Sequence, residues 1–173
     1  QAGADILEVW NDEARARVQR GIVATGLGYA PITAEKVLPF LDAQAQAWRD
    51  ARTRACLAAE VEATLDAELL DRALWCLDER RMELAALLTE LAHADDMVVQ
   101  RAVMAAADLP PVSPCTDPQV LAALPAPPPD ARRQADAVRT TLSQARTLLA
   151  AGKYTQALER ARATLTSAEA LGW

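Results

Sequence analysis

The sequence predicts an all-α protein in which antiparallel helical hairpins pack as a bundle. Apolar residues make up 51% of the 173 residues, but aromatic residues make up only 4%. Ala and Leu, which favour helices, supply most of the apolar share, whereas the β-branched and aromatic residues that favour strands are scarce. Apolar residues also recur at helical spacing over long stretches, separated by breaks rich in Gly and Pro.

The charge balance excludes some classes of partner. The chain has 18 Lys and Arg against 24 Asp and Glu, so its formal net charge is −6. Nucleic-acid binding requires a basic face, which this composition does not favour. No apolar run approaches the length of a membrane span, so we expect no direct membrane insertion. Because the chain begins at Gln1 rather than Met, we expect an excised domain or a mature product.

The first predicted helix begins after Asn11, whose side chain can cap it. Val18, Ile22 and Val23 recur at helical spacing and are the predicted buried stripe. The helix is expected to stop in the connector at 25–31, because its glycines and proline oppose continuation.

A long antiparallel hairpin at 33–93 is the predicted centre of the bundle. Thr33 is the expected cap of its first arm, and Pro39 falls early enough to bend the first turns without ending the helix. The break lies at 64–66, where Asp66 can cap the second arm. The apolar stripes that face each other are Val37, Leu41, Ala45, Trp48, Ala55 and Ala59 in the first arm, and Leu70, Leu74, Leu77, Leu84, Leu87, Leu88 and Leu91 in the second.

A shorter helix is predicted after the hairpin, with Asp95 as its cap and Val98, Val99, Ala102 and Val103 inward. The predicted bundle therefore covers residues 1–109.

A proline-rich segment at 110–129 follows and is predicted to be a linker. Within it, Asp117 followed by Pro118 predicts a short helix at 117–124. The run at 125–129 is the expected extended spacer and domain boundary, although such a run can also bind small aromatic-lined domains.

Residues 130–173 are predicted to form a second helical hairpin. Its pattern of small residues, a turn glycine and a wedging tyrosine resembles one tetratricopeptide unit. A partner-binding surface for a peptide or protein is predicted on its concave side. The residues that carry the pattern are Ala145, Leu148, Gly152, Tyr154, Ala157, Ala161 and Leu165, and the predicted partner-binding residues are Arg139, Arg146, Tyr154 and Arg160.

The sequence contains no pattern that spells out a reaction. The single histidine, His93, is most simply a charge or cap at the end of a helix. The charged cluster at 78–83 has the spacing of a solvated helical face with paired charges. We therefore expect no catalytic residues, no metal site and no cofactor. A cleft in which Asp78, Arg80 and Glu83 converged would favour an enzyme instead.

Cys56, Cys76 and Cys115 leave two alternatives open. Either all three are free thiols packed in the core, or two of them form a disulfide and the third remains a free thiol. Cys56 and Cys76 each lie ten residues from Asp66 in the predicted break, so an antiparallel hairpin would bring them level.

Several stretches, taken in order, resemble the region after the kinase domain in large eukaryotic-like serine/threonine protein kinases of myxobacteria. They are VWNDEARARV, ATGLGYA, the long arm ending in TRAC, LLDRALWCLDERRMELAALL, AVMAAADLPPVSPC and ARTLLAAGKYTQALERA. The kinase motifs themselves are absent from this chain, so no catalytic residue can be transferred.

The resemblance implies a non-catalytic sensor or interaction domain on the extracytoplasmic face of a membrane-anchored kinase. An oxidising location favours a Cys56–Cys76 disulfide. The resemblance also leads us to expect a cysteine near the start, where this chain has Gln1. If that missing cysteine normally pairs with Cys115, Cys115 is left unpaired here. The alternative function is a cytoplasmic tetratricopeptide scaffold that assembles partner proteins. The sequence is also compatible with a homodimer.

Overall fold

The computed structural model describes residues 3–124, 127 and 130–171. Within these residues the chain forms α-helices and two short 3-10 helices and contains no strand, which confirms the all-α prediction. The 3-10 helices are Ala4–Glu8 and Ser113–Thr116. The α-helices are α1 (Asp12–Val23), α2 (Ala30–Glu60), α3 (Ala67–Ala92), α4 (Asp96–Ala107), α5 (Pro118–Ala123), α6 (Arg132–Ala150) and α7 (Tyr154–Ala170).

Helices α2 and α3 form the predicted long hairpin. Asp66 caps α3 as expected, because its carboxylate accepts a hydrogen bond from the Leu69 backbone N–H at 2.8 Å. Pro39 lies inside α2 without ending it. Thr33 is not the cap of the first arm, because α2 already begins at Ala30. Pro31 lies in the first turn, where backbone N–H groups have no partner within the helix, so the N–H that proline lacks is not missed.

Helices α1 and α4 pack against the hairpin and close the main core. Asn11 caps α1 and Asp95 caps α4, as predicted, through the backbone N–H groups of the residues three positions on. Val23 is 45% exposed, so its predicted burial was wrong, because the inward face of α1 ends at Ile22. The largest fully buried core residues are Ile6, Val18, Ile22, Val37, Leu41, Leu77, Leu84, Leu91, Val98, Val99, Cys115 and Leu121.

The segment at 110–124 is packed against the hairpin. Val112, Cys115 and Leu121 belong to the main core, and Arg72 donates hydrogen bonds to the carbonyls of Leu121 and Ala122. The predicted short helix is present as α5, with Asp117 as its cap. The first part of the predicted linker is therefore a structural part of the bundle. The predicted spacer and boundary at 125–129 lie, apart from Pro127, outside the described residues.

The disulfide joins Cys76 on α3 to Cys115 in the second 3-10 helix, across a sequence separation of 39. Cys56 is free, so the predicted Cys56–Cys76 pairing was wrong. Cys115, which would have been left unpaired if its usual partner were a cysteine near the start of the chain, is bonded to Cys76 instead. The reason is the register of the hairpin. Trp48 donates its indole N–H to the Leu77 carbonyl at 2.6 Å, which places Cys76 level with the residues near Trp48. Cys56 lies eight residues beyond Trp48, roughly 12 Å along the helix axis.

Helices α6 and α7 form the second hairpin, and Gly152 turns the chain between them. Its φ of +84° is a backbone conformation that side chains other than glycine rarely adopt. Ala145, Leu148 and Ala157 are buried in this hairpin but stand outside the main core cluster. The helical hairpin is therefore present, while its identity as a tetratricopeptide unit stays a prediction.

Candidate interaction surface on the C-terminal hairpin

Helix α6 docks on α3 through a ladder of charge pairs. Its basic members recur every seven residues, two helical turns, and therefore share one side of the helix. The numbers of the paired residues rise together along both helices, which makes α6 parallel to α3. We call this set the α3–α6 ladder: Arg132 with Asp71, Arg139 with Glu79, Arg146 with Glu83, and Lys153, just after α6, with Glu90.

Glu83 is the buried centre of the α3–α6 ladder. Its side chain is only 5% exposed, and its two carboxylate oxygens accept hydrogen bonds from Arg146 and Arg80, each at 2.6 Å. A buried carboxylate without such partners would be strongly destabilising. Two cations therefore hold one buried charge where the two helices meet.

Arg139 is enclosed by groups of α3. Its guanidinium stacks on the Trp75 ring, 3.9 Å from the centroid, and donates to the Trp75 carbonyl at 2.8 Å. Glu79 and Asp136 lie within ion-pair distance at 3.5 and 3.4 Å. Because its side chain is 8% exposed, Arg139 serves the docking of α6 and offers little surface to a partner.

The two ends of the α3–α6 ladder have shifted pKa values. The hydrogen bond from Arg132 lowers the pKa of Asp71, with a smaller opposing effect of burial. Burial alone would lower the pKa of Lys153, but the hydrogen bond and charge of Glu90, together with Asp95, raise it. Each shift favours the charged form, which is the form that holds the ladder together.

The four predicted partner-binding residues do not lie on one surface. Arg139 and Arg146 point to α3, although Arg146 remains 60% exposed beside Glu83. Tyr154 is 55% exposed and lies beneath Arg101 of α4, 5.6 Å from ring centroid to guanidinium. Arg160 donates instead to Gln144 across the hairpin. The structure thus places two of them against α3, one beside α4 and one against α6, and their role in partner binding stays a prediction.

An exposed leucine face was not predicted from the sequence. On α6 the two leucines are seven residues apart, and on α7 the spacing is the same, which is the signal that sequence reasoning could have used. The Gln144–Arg160 hydrogen bond marks one edge of the hairpin. At about 100° per residue, the leucines fall on the opposite edge of both helices. The leucine face consists of Leu142, Leu149, Leu158 and Leu165, which are 40%, 54%, 50% and 55% exposed.

The charged residues at 78–83 form separate ion pairs, and Asp78 and Glu83 line different cavities. Asp78 pairs with Arg81 at 2.7 Å, while Glu83 is enclosed between Arg80 and Arg146. His93 ends α3 as expected, with Nδ1 2.9 Å from the Thr89 carbonyl oxygen. Among the described residues, no group of three or more His, Cys, Asp or Glu could hold a metal ion. In the same part of the chain, no helix has the length and apolarity to span a bilayer.

The chain was compared with protein-family models, with curated proteins and with solved structures. No family model, no curated protein and no solved structure matches it.

Proposed function

We propose that this chain is a non-catalytic interaction domain that recognises a peptide or protein partner on the leucine face of the α6–α7 hairpin. The observation that carries the proposal is the exposure of Leu142, Leu149, Leu158 and Leu165, each at least 40% accessible and all on one edge. Contiguous exposed apolar side chains are typical of interaction sites. A partner helix with apolar residues at matching spacing would bury them.

The α3–α6 ladder supports a route by which binding could act on the rest of the domain. Helix α7 packs chiefly on α6, and α6 is joined to α3 by ion pairs and by the Arg139–Trp75 contact. A partner that shifts α6 would therefore strain these pairs. In the proposed function, this strain transmits occupancy to the long hairpin.

The wider proposal places this domain in a membrane-bound serine/threonine protein kinase, on the extracytoplasmic face, as a sensor segment. It rests on the sequence resemblance, and the Cys76–Cys115 disulfide is compatible with it because disulfides persist in oxidising compartments. The second candidate is a cytoplasmic tetratricopeptide scaffold, which the helical hairpin favours. Thiol labelling in intact cells discriminates them, since the cytoplasmic scaffold keeps Cys76 and Cys115 reduced.

Peptides selected from a random display library against the folded protein test the interaction site. Fluorescence anisotropy then compares the affinity of the selected peptides for the unaltered chain, for Leu149→Glu and for Leu158→Glu. We expect each substitution to weaken binding by about tenfold or more, because a carboxylate would be buried at the contact.

The matched control is Ile32→Glu, which changes an aliphatic residue of similar exposure, 56%, on α2. It should leave the affinity unchanged, and circular dichroism should show the same helix content in all variants. If the selected peptides bind Leu149→Glu and Leu158→Glu as tightly as the unaltered chain, the leucine face is not the recognition surface.

A further inference from the structure

A half-open cavity of about 600 Å³ lies at the closed end of the α2–α3 hairpin, remote in sequence from the leucine face. Its walls come from the end of α2, the turn at 61–66, the start of α3, the second 3-10 helix and α5. Small-molecule sites typically enclose about 300 to 1,000 Å³ and are mostly apolar with a few placed polar groups. The cavity therefore has the size of a ligand site.

The floor of this cavity is apolar and belongs to the rigid part of the fold. The lining leucines that solvent reaches are Leu57, which is 46% exposed, and Leu65, which is 9% exposed; Cys115 and Leu121 support them from the fully buried main core. Cys115 is also tied to α3 by the disulfide. Such a floor would remove apolar side chains of a ligand from water without rearranging.

The rim of the cavity carries one positive and one negative side chain. Arg54 lies on α2, and Glu62 lies just beyond the end of that helix; both are exposed. Within the part of the chain that the structure describes, neither side chain has a hydrogen bond or an ion pair, and the two do not pair with each other. The rim therefore offers two solvent-facing charges of opposite sign that have no partner within the described residues.

The turn that carries Glu62 is held in a fixed and uncommon conformation. Ala63 has a φ of +52°, which costs a non-glycine residue free energy and persists only where the surroundings impose it. Two backbone N–H groups, those of Thr64 and Leu65, donate to the Ala58 carbonyl at 2.9 and 3.2 Å. The backbone of the turn that carries Glu62 is consequently positioned before any ligand arrives.

We propose that this cavity binds an apolar di- or tripeptide with free termini. Its carboxylate would pair with Arg54, its ammonium group with Glu62, and its side chains would pack on the floor. Residues 54 and 62 are eight positions apart, about 12 Å along the chain at helical rise, so a ligand whose charges share one carbon fits poorly. An extended peptide of two or three residues spans about 7 to 10 Å, which the two side chains can reach.

Isothermal titration calorimetry with the dipeptide Leu-Leu and its two blocked forms tests the assignment of the two charges. The N-acetylated form lacks the ammonium group and the C-amidated form lacks the carboxylate. We expect Leu-Leu to bind and each blocked form to bind about tenfold more weakly, the loss expected for one charge-assisted contact. Arg54→Gln should bind Leu-Leu and its amide equally, whereas Glu62→Gln should bind Leu-Leu and its acetylated form equally.

Two further variants complete the experiment. Arg20→Gln changes an exposed arginine of α1 that has no ion pair with any residue the structure describes, and it should bind Leu-Leu as the unaltered chain does. Ala58→Phe should fill the cavity, keep both rim charges and abolish binding. Absence of a heat signal for Leu-Leu at millimolar concentration, equal affinity for the blocked forms, or undiminished binding by Ala58→Phe would each overturn the proposal. Peptide capture by the leucine face is unaffected by these substitutions, so the two sites succeed or fail separately.

Discussion

Glu83 of α3 accepts a hydrogen bond from Arg146 of α6 at 2.6 Å, and Arg80 occupies its second oxygen at the same distance. The carboxylate is buried, whereas Arg146 is 60% exposed. The contact between the two hairpins is therefore centred on the buried carboxylate of Glu83. One of its two cationic partners, Arg146, lies 63 positions away in the sequence.

Glu83→Ala should lower the free energy of unfolding by about 3 kcal/mol, because it leaves Arg80 and Arg146 without their shared carboxylate. Urea denaturation followed by circular dichroism measures this loss. The matched control is Glu13→Ala, which breaks the exposed Arg17–Glu13 pair and should cost less than about 1 kcal/mol. Equal effects of the two substitutions would contradict a central role for Glu83.

Replacing both Cys76 and Cys115 by Ser should destabilise the domain by about 4 kcal/mol, the loop-closure contribution of a disulfide that spans about 40 residues. Thermal denaturation measures the loss, and added reductant should produce a similar loss in the unaltered chain. Cys56→Ser should change little, because that thiol is free. Peptide mass spectrometry without reductant should find Cys76 joined to Cys115; a Cys56–Cys76 peptide would refute the hairpin register described above.

Stability should fall in acid partly through Asp71. The hydrogen bond from Arg132 lowers the pKa of Asp71 below its ordinary value of 3.8. A lowered folded-state pKa contributes stability that is present above the unfolded-state value and is lost as the pH falls through the folded-state value. The α6–α7 hairpin should therefore loosen first on acidification below pH 3.8.

Hydrogen exchange measured from neutral pH down to strong acid tests this behaviour. In the unaltered chain, protection of α6 should decrease in acid before protection of α2 does. Asp71→Asn should lower the protection of α6 at neutral pH and flatten its dependence on acid. If α2 and α6 lost protection at the same pH, the α3–α6 ladder would not open in acid before the rest of the domain unfolds.

Gly21→Ala should destabilise the domain by about 2 kcal/mol, because α1 approaches the end of α3 too closely for a side chain. A Cβ at this position would lie 2.6 Å from the Leu91 carbonyl oxygen and would also overlap the Ala92 backbone. Thermal denaturation provides the measurement. Gly28→Ala is the control, since a Cβ there meets nothing within 4 Å. If Gly21→Ala were as stable as the unaltered chain, α1 and α3 would be able to move apart at this contact without a loss of folding free energy.

The predictions from sequence succeeded where the determining interactions are local. Asn11, Asp66, Asp95 and Asp117 each cap the helix that they were expected to cap, because a capping side chain binds backbone groups two or three residues away. Pro39 lies inside α2 without ending it, as predicted, because its effect on the helix is also confined to the neighbouring turn.

The sequence by itself determined that the chain is helical, where most helices begin and which residues break them, since those features depend on neighbours within one or two turns. Only the tertiary structure decided that Cys76 bonds to Cys115, that the segment at 110–124 packs on the core, and that Arg139 packs against α3. The physical reason is that register and rotation between helices depend on how their side chains interlock over contacts distant in sequence, and periodicity within one helix carries no information about that fit.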